Sequence, residues 1–199
     1  MAELINQQED LEVCGNCEGG EVALQSIPQA DPSLLVIDIS LNGMDGIELV
    51  KIVKRTHPEL QVLIVSMHDE TIYAERALRA GASGYVMKQQ SPEVLLQAIR
   101  CVLNGEIYLS EAMTSRLLRQ FSGGQGSGAD HPEELLSDRE LEIFRWIGQG
   151  MGTRQIADIL CLSIKTVETY RDHIKTKLNL KSSYELVYHA IQYRNKIQH

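Results

Sequence analysis

Three polar side chains fall at the ends of three apolar runs. Asp38 closes SLLVID (33–38), Ser66 closes QVLIVS (61–66) and Lys88 follows GYVM (84–87). Runs of this length that are apolar throughout read as strands buried on both faces of a parallel sheet, and ligands in such sheets bind beyond the carboxyl ends of the strands. Any one of the three is as consistent with an ordinary polar residue at a strand end as with function. Three in register at one sheet edge converge on a single site. A carboxylate to act as nucleophile, with a hydroxyl and an ammonium to bind oxygens, suits a transferred phosphoryl group.

The elements that must position them alternate along the chain. LEVC (11–14) and the three runs above read as strands, separated by amphipathic stretches such as IELVKIVKRT, TIYAERALRAG and PEVLLQAIRCVLNG that read as helices. The expectation is an α/β doubly wound parallel sheet over residues 1–120, including a closing helical pattern, EAMTSRLLRQF. Residues 121–133, FSGGQGSGADHPE, hold four glycines, two serines and a proline and keep no hydrophobic period. They read as a flexible linker, since they follow a helix and lack the spacing of a phosphate-binding loop.

Residues 134–199 carry four helical patterns with punctuation at each boundary. Ser137 with Glu140 makes a capping box, Gly150 stops the first helix, Ser163 caps the third, and Ser182 or Ser183 the fourth. Short helices and tight turns predict an all-α domain with a helix-turn-helix inside it. In SIKTVETYRDHIKTKL, Ile164, Val167, Tyr170 or Arg171, Ile174 and Leu178 recur at helical spacing and are expected to face the core. Lys165, Glu168, Thr169, Asp172 and Lys175 then face outward. Between 165 and 181 five basic residues stand against two acidic ones, which suits contacts to DNA phosphates. A solvated charged face would explain the charges but not the capped helix-turn-helix.

Composition narrows the classes. The formal net charge of −8 is uneven: residues 1–120 hold 17 acidic against 9 basic side chains, and residues 134–199 hold 8 against 10, as expected of two modules with different partners. No apolar run approaches the ~18 residues of a spanning helix and the first residues, MAELINQQED, are polar, so no membrane association and a cytoplasmic location are expected. Four cysteines without a secretion signal read as reduced, structural thiols. Cys14 and Cys17 match C-x-x-C, yet no second pair or nearby histidine completes a zinc site. No nucleophile elbow, phosphate-binding loop or dinucleotide fingerprint supports an enzyme.

LLVIDISLNGMDG, VLIVSMHDE and GASGYVMKQQSPEVLLQAI resemble the receiver domain of bacterial response regulators over nearly all of residues 1–105. The resemblance implies a flavodoxin-like strand order, with Asp38 the phospho-accepting residue, Ser66 the switch hydroxyl, Tyr85 the switch aromatic and Lys88 the phosphate-binding lysine. Asn42 and Gln89 stand where the family usually has proline and often has proline, respectively. LSDRELEIFRWIGQG, TRQIADIL and LSIKTVETYRDHIKTKL resemble the LuxR-like output domain of NarL/FixJ-type regulators. By that resemblance Glu168, Thr169 and Asp172 read base edges, and Lys165, Thr166, Arg171 and Lys175 contact phosphates. The closing helix, with Leu186, Val187, Ala190, Ile191 and Tyr184, Tyr188 and Tyr193, serves dimer formation on double-stranded DNA, and a histidine kinase is the expected phosphate source.

One part of the receiver pattern has no counterpart. LEVCGNCEGGEVAL resembles the second strand and helix and MAELINQQED the tail of the first helix, so the first strand and its acidic pair, which help hold Mg²⁺, are missing. A start upstream of Met1 is the simplest account; otherwise LEVC pairs with SLLVID, a partner fills the gap, or strand edges stay open. Asp38 is then the only obvious metal ligand, and metal affinity and phosphorylation are expected to fall. The expected function is a DNA-binding transcription regulator of a two-component phosphorelay. The alternative is a phosphorylation-independent regulator, or an interaction module that pairs with another regulator.

Overall fold

A computed structural model describes residues 1–41, 44–122 and 132–197. It divides into two compact units, Met1–Gly126 and Ser127–His199. The first contains α1 (Ala2–Asn6), α2 (Gly20–Ala30), β1 (Leu34–Ile37), α3 (Gly46–Thr56), β2 (Gln61–Ser66), α4 (Glu70–Arg79), β3 (Gly84–Met87), α5 (Pro92–Leu103) and α6 (Glu111–Ser122).

The strands form one parallel sheet in the order β1-β2-β3. Alternation along β2 and β3 sends Leu63, Val65 and Val86 to one face, where they pack with Ile5 of α1 and with Leu95, Ile99 and Val102 of α5. The opposite face carries Val62, Ile64 and Tyr85, on the side where α4 packs on β3 and α3 packs on α4. β2 is buried at every residue after Gln61, as the middle strand of a sheet covered on both faces must be. Asp45 begins α3 by accepting hydrogen bonds from the Ile47 and Glu48 amides at 2.8 and 3.2 Å, and Asp69 does the same for α4 through Thr71.

The expected strand at LEVC does not form. Residues 11–14 are irregular, and the Val13 amide donates instead to Oδ1 of Asn6 at 2.8 Å. A strand exists only by virtue of a hydrogen-bonded neighbour, and among the described residues no strand pairs with this segment. The expected linker also differs at its ends: α6 runs through Ser122 and a short helix, α7 (Pro132–Leu135), begins inside the stretch. Asn42 and residues 123–131 lie outside the described residues.

The second unit continues with α8 (Asp138–Gly148), α9 (Thr153–Ile159), α10 (Ile164–Lys177) and α11 (Ser183–Ile197). Ser137 and Glu140 make the expected capping box, Ser163 accepts from the Thr166 amide at 3.0 Å, and Ser182 accepts from the Glu185 amide at 3.1 Å. α8 packs on α10 and α11. Its approach to α11 is close: a Cβ built on Gly148 would lie 2.4 Å from the Ala190 carbonyl oxygen, so no side chain fits there. Ile164, expected in the core, is exposed, because the buried stripe of α10 begins one turn later at Val167 and continues at Ile174.

Two charged groups fasten this unit. Arg139, buried, donates to Glu142 at 2.7 Å and to the Leu160 carbonyl at 3.1 Å, tying α8 to the end of α9. Glu140, also buried, accepts from the Ser137 amide and from Lys177 at 2.6 Å, tying α8 to the end of α10. Burial works to raise the Glu140 carboxyl, but the bonds from Lys177 and Ser137 outweigh it and hold the group below the ordinary 4.5.

Trp146 is the only tryptophan and lies on α8, so its fluorescence reports on the second unit alone. Glu142→Ala leaves the Arg139 guanidinium buried with its charge uncompensated and is expected to lower the stability read from Trp146 in urea by about 3–5 kcal/mol. Because the folded-state value of Glu140 lies below the unfolded one, its contribution is complete above 4.5 and is lost as pH falls through the lowered value. Acid titration of the same signal should therefore show stability declining below that pH, with a shallower decline in Glu140→Gln.

Candidate phosphoryl-acceptor site and helix-turn-helix face

The sheet register puts Ile37 opposite Ile64 and Ser66 opposite Met87, so Asp38, Ser66 and Lys88 emerge at one edge from three adjacent strands. Lys88 Nζ lies 2.6 Å from Asp38 Oδ2, and both side chains are partly exposed. The Lys88 amide donates to the Ser66 carbonyl at 2.8 Å, which extends the β2–β3 ladder one step and fixes the root of the lysine. Ser66 is fully buried at the end of the middle strand.

His68 joins the remaining parts. Its amide donates to Ser66 Oγ at 3.3 Å, its carbonyl accepts from the buried Tyr85 hydroxyl at 2.9 Å, and its Nε2 meets Ser40 Oγ at 2.9 Å. A single residue of the β2–α4 loop thus touches Ser66, Tyr85 and the loop after Asp38. The sequence reading passes over His68 and Ser40; the only local signal is that His68 lies two residues beyond a strand end already marked by Ser66.

The backbone of Asp38 is held from the other side. Gly46 donates its N–H to the Ile39 carbonyl at 2.8 Å, and a Cβ on Gly46 would lie 2.1 Å from the Asp38 carbonyl oxygen. Only glycine permits this approach.

The donor set does not fit the magnesium ion that the receiver pattern implies. Mg²⁺ requires near-octahedral oxygen coordination at close range. Among the described residues no group of three or more His, Cys, Asp and Glu side chains stands together as a metal cluster, and Asp38 gives one oxygen to Lys88 while the other accepts from the Ser40 amide at 3.3 Å. Cys14, Cys17, Cys101 and Cys161 are free thiols, and Cys14 and Cys161 are exposed.

On α10, Lys165, Glu168, Thr169 and Asp172 are exposed, whereas Thr166, Arg171 and Lys175 are half-buried. Four of the five residues expected to face outward do so, Lys175 is half-buried, and the charges of the face are partly engaged. Lys175 pairs with Asp172 at 2.8 Å and lowers the Asp172 carboxyl, while burial lowers Arg171 against the pull of Asp172 and Glu168. Thr169 donates to the Lys165 carbonyl and Thr166 shares a 2.7 Å bond with Ser163. On α11 Leu186, Ala190 and Tyr193 are buried, Val187 and Ile191 half-buried, and Tyr184 and Tyr188 exposed.

Comparison with known proteins agrees with this arrangement. The response regulator receiver domain matches residues 1–100, and the luxR family of bacterial regulatory proteins matches residues 134–190. The oxygen regulatory protein NreC of Staphylococcus carnosus (strain TM300) is 37% identical over 193 residues, 95% of this chain and 89% of that protein. The NreC of Staphylococcus aureus (strain MRSA252) is 38% identical over 193 residues, with the same coverage. Among solved structures, RcsB from Salmonella enterica serovar Typhimurium, bound to promoter rprA in the presence of the phosphomimetic BeF3-, aligns with a TM-score of 0.56 at 28% identity, over 93% of this chain and 88% of that one. A structure of two RcsB dimers bound to two parallel DNAs aligns with a TM-score of 0.54 at 27% identity, over 96% and 90%. Receiver site, helix-turn-helix and relatives together identify the chain as a member of the NarL/FixJ-type two-component response regulators.

Proposed function

We propose that the chain regulates transcription by binding double-stranded DNA as a dimer through residues 134–199, with residues 1–120 as its receiver, 121–133 as the connection, and Asp38 as a phospho-accepting position that reacts slowly. The observation that carries this reading is the 2.6 Å pairing of Lys88 with Asp38 beside Ser66 at one sheet edge. In the transfer, an Asp38 oxygen attacks the donor's phosphorus, the donor's leaving group departs with the bonding pair, and an acyl phosphate forms. Lys88 and the Ser66 hydroxyl then bind the phosphoryl oxygens, and Tyr85 follows the change through the loop at His68. With one carboxylate at the site, the charge developing on the phosphoryl group lacks the neutralisation that fast transfer requires.

DNA binding rests on α10. The helix presents Glu168, Thr169 and Asp172 to base edges, with Lys165, Thr166, Arg171 and Lys175 beside them for phosphates. Two of the base-facing side chains are acidic, which favours cytosine N4 but repels phosphate, so each copy binds with modest affinity and two half-sites are needed for tight occupancy. Tyr184 and Tyr188 of α11 are exposed, which supports a contact between copies through this helix.

Intact-mass analysis of the full chain with a small phosphodonor and Mg²⁺ should show at most a slowly accumulating adduct that Asp38→Ala abolishes and Lys88→Ala reduces by about a hundredfold. The phosphodonor should leave DNA affinity nearly unchanged. Rapid, stoichiometric phosphorylation with a large gain in affinity would overturn the slow-acceptor reading. On DNA, Lys165→Ala should weaken binding to every sequence and lower the salt slope by about one, whereas Glu168→Ala should relax selection at one base pair by about 1–3 kcal/mol. Titrations on promoter fragments at several salt concentrations separate the two effects.

A further inference from the structure

The exposed face of α10 carries two threonines, Thr169 and Thr176, and both have already used their hydroxyl protons. Thr169 donates to the Lys165 carbonyl and Thr176 to the Asp172 carbonyl, each at 3.0 Å and each one turn back along the helix. A hydroxyl bonded in this way lies against the preceding turn and fixes the side-chain rotamer, which leaves the methyl group as the outward part of the side chain. The third threonine of the helix, Thr166, is half-buried and shares a 2.7 Å bond with Ser163. The helix thus offers no free threonine donor on its outward face, and offers methyl groups instead.

The charged neighbours leave one kind of recognition open. Asp172 is engaged by Lys175 at 2.8 Å. Glu168, the other acidic residue of the face, only accepts hydrogen bonds when ionised. Neither can recognise an apolar group. In the major groove the one apolar mark on a base edge is the C5 methyl group of thymine.

Position along the helix separates the two exposed threonines. α10 begins at Ile164, so Thr169 lies in its second turn, and the N-terminal part of a recognition helix is the part that reaches base edges. Thr176 stands seven residues further on, about 10 Å along the axis. It repeats the chemistry of Thr169 outside that part of the helix, and so serves as an internal comparison.

Resting on the reading of α10 as the DNA-contacting helix, we propose that Thr169 is a thymine-selecting residue, whose methyl group packs against the C5 methyl of one thymine in each half-site while its hydroxyl makes no bond to the base. The hydroxyl acts indirectly, by holding the rotamer that turns the methyl group outward. Thymine is then distinguished from cytosine at this position by packing, and not by the donor and acceptor pattern that Glu168 reads.

The test uses the full chain. Selection from a randomised duplex pool gives its preferred site, and absence of any enriched sequence would overturn the DNA-binding reading and this proposal with it. On the enriched duplex, each thymine of one half-site is replaced in turn by deoxyuridine, which removes only the C5 methyl, and affinity is read by fluorescence anisotropy at constant salt. One replacement should weaken binding about fourfold, the worth of one buried methyl group. At that position Thr169→Val, which keeps a γ-methyl group and lacks the hydroxyl, should preserve the ratio of thymine to uracil affinity. Thr169→Ser, which keeps only the hydroxyl, should bring the ratio to about one. Thr176→Ser should leave it unchanged. An enriched site with no thymine sensitive to loss of its methyl, a ratio that survives Thr169→Ser, or a ratio lost in Thr169→Val would each overturn the proposal while leaving DNA binding in place.

Discussion

Parallel pairing of β1 with β2 and of β2 with β3 is the constraint from which the rest of the receiver follows. Parallel strands share a direction, so their carboxyl ends gather at one edge while the connecting helices are carried to the faces. Asp38, Ser66 and Lys88, separated by 28 and 22 positions in the chain, become neighbours for that reason alone. The bridge from the Lys88 amide to the Ser66 carbonyl then continues the ladder past the last formal strand residue, so the lysine enters the site from a rigid base. Its pairing with Asp38 satisfies both charges.

The second unit is held by a different device. Its helices are short, and each isolated one would be marginal in water. α8 supplies the cohesion, with an apolar face against α11 and two buried side chains, Arg139 and Glu140, that reach the ends of α9 and α10. Those ends belong to the two helices of the helix-turn-helix, so the fastening groups hold α9 and α10 to α8. The outward face of α10 is left with charges of both signs, and the Asp172–Lys175 pair shows that part of its basic character is already spent within the helix.

Most of this was legible in the residues. The apolar runs ending in Asp38 and Ser66 became strands, the caps at Ser137, Ser163 and Ser182 formed as spaced, and the stripe through Val167 and Ile174 met the core. What could not be read depends on partners far away in the chain. LEVC has the alternation of a strand but no neighbour to bond with, and period alone does not report the neighbour. Ile164 matches the helical period yet lies before the contact begins. The hub at His68 and the link from Glu140 to Lys177 leave no periodic mark, because they join positions that only the tertiary fold brings together.

Gly46 carries a broader implication. It lies eight positions beyond Asp38 and contributes no side chain, yet the space above its Cα is occupied by the Asp38 carbonyl. The geometry at Asp38 is therefore inherited jointly by two positions, one chemical and one purely steric. Sequence drift that preserves every reactive group can still silence the site by adding a single methyl group at the other. In tracing which relatives keep the Asp38 backbone in this geometry, the presence of the aspartate alone is an insufficient marker, and the glycine is the more demanding half of the pair.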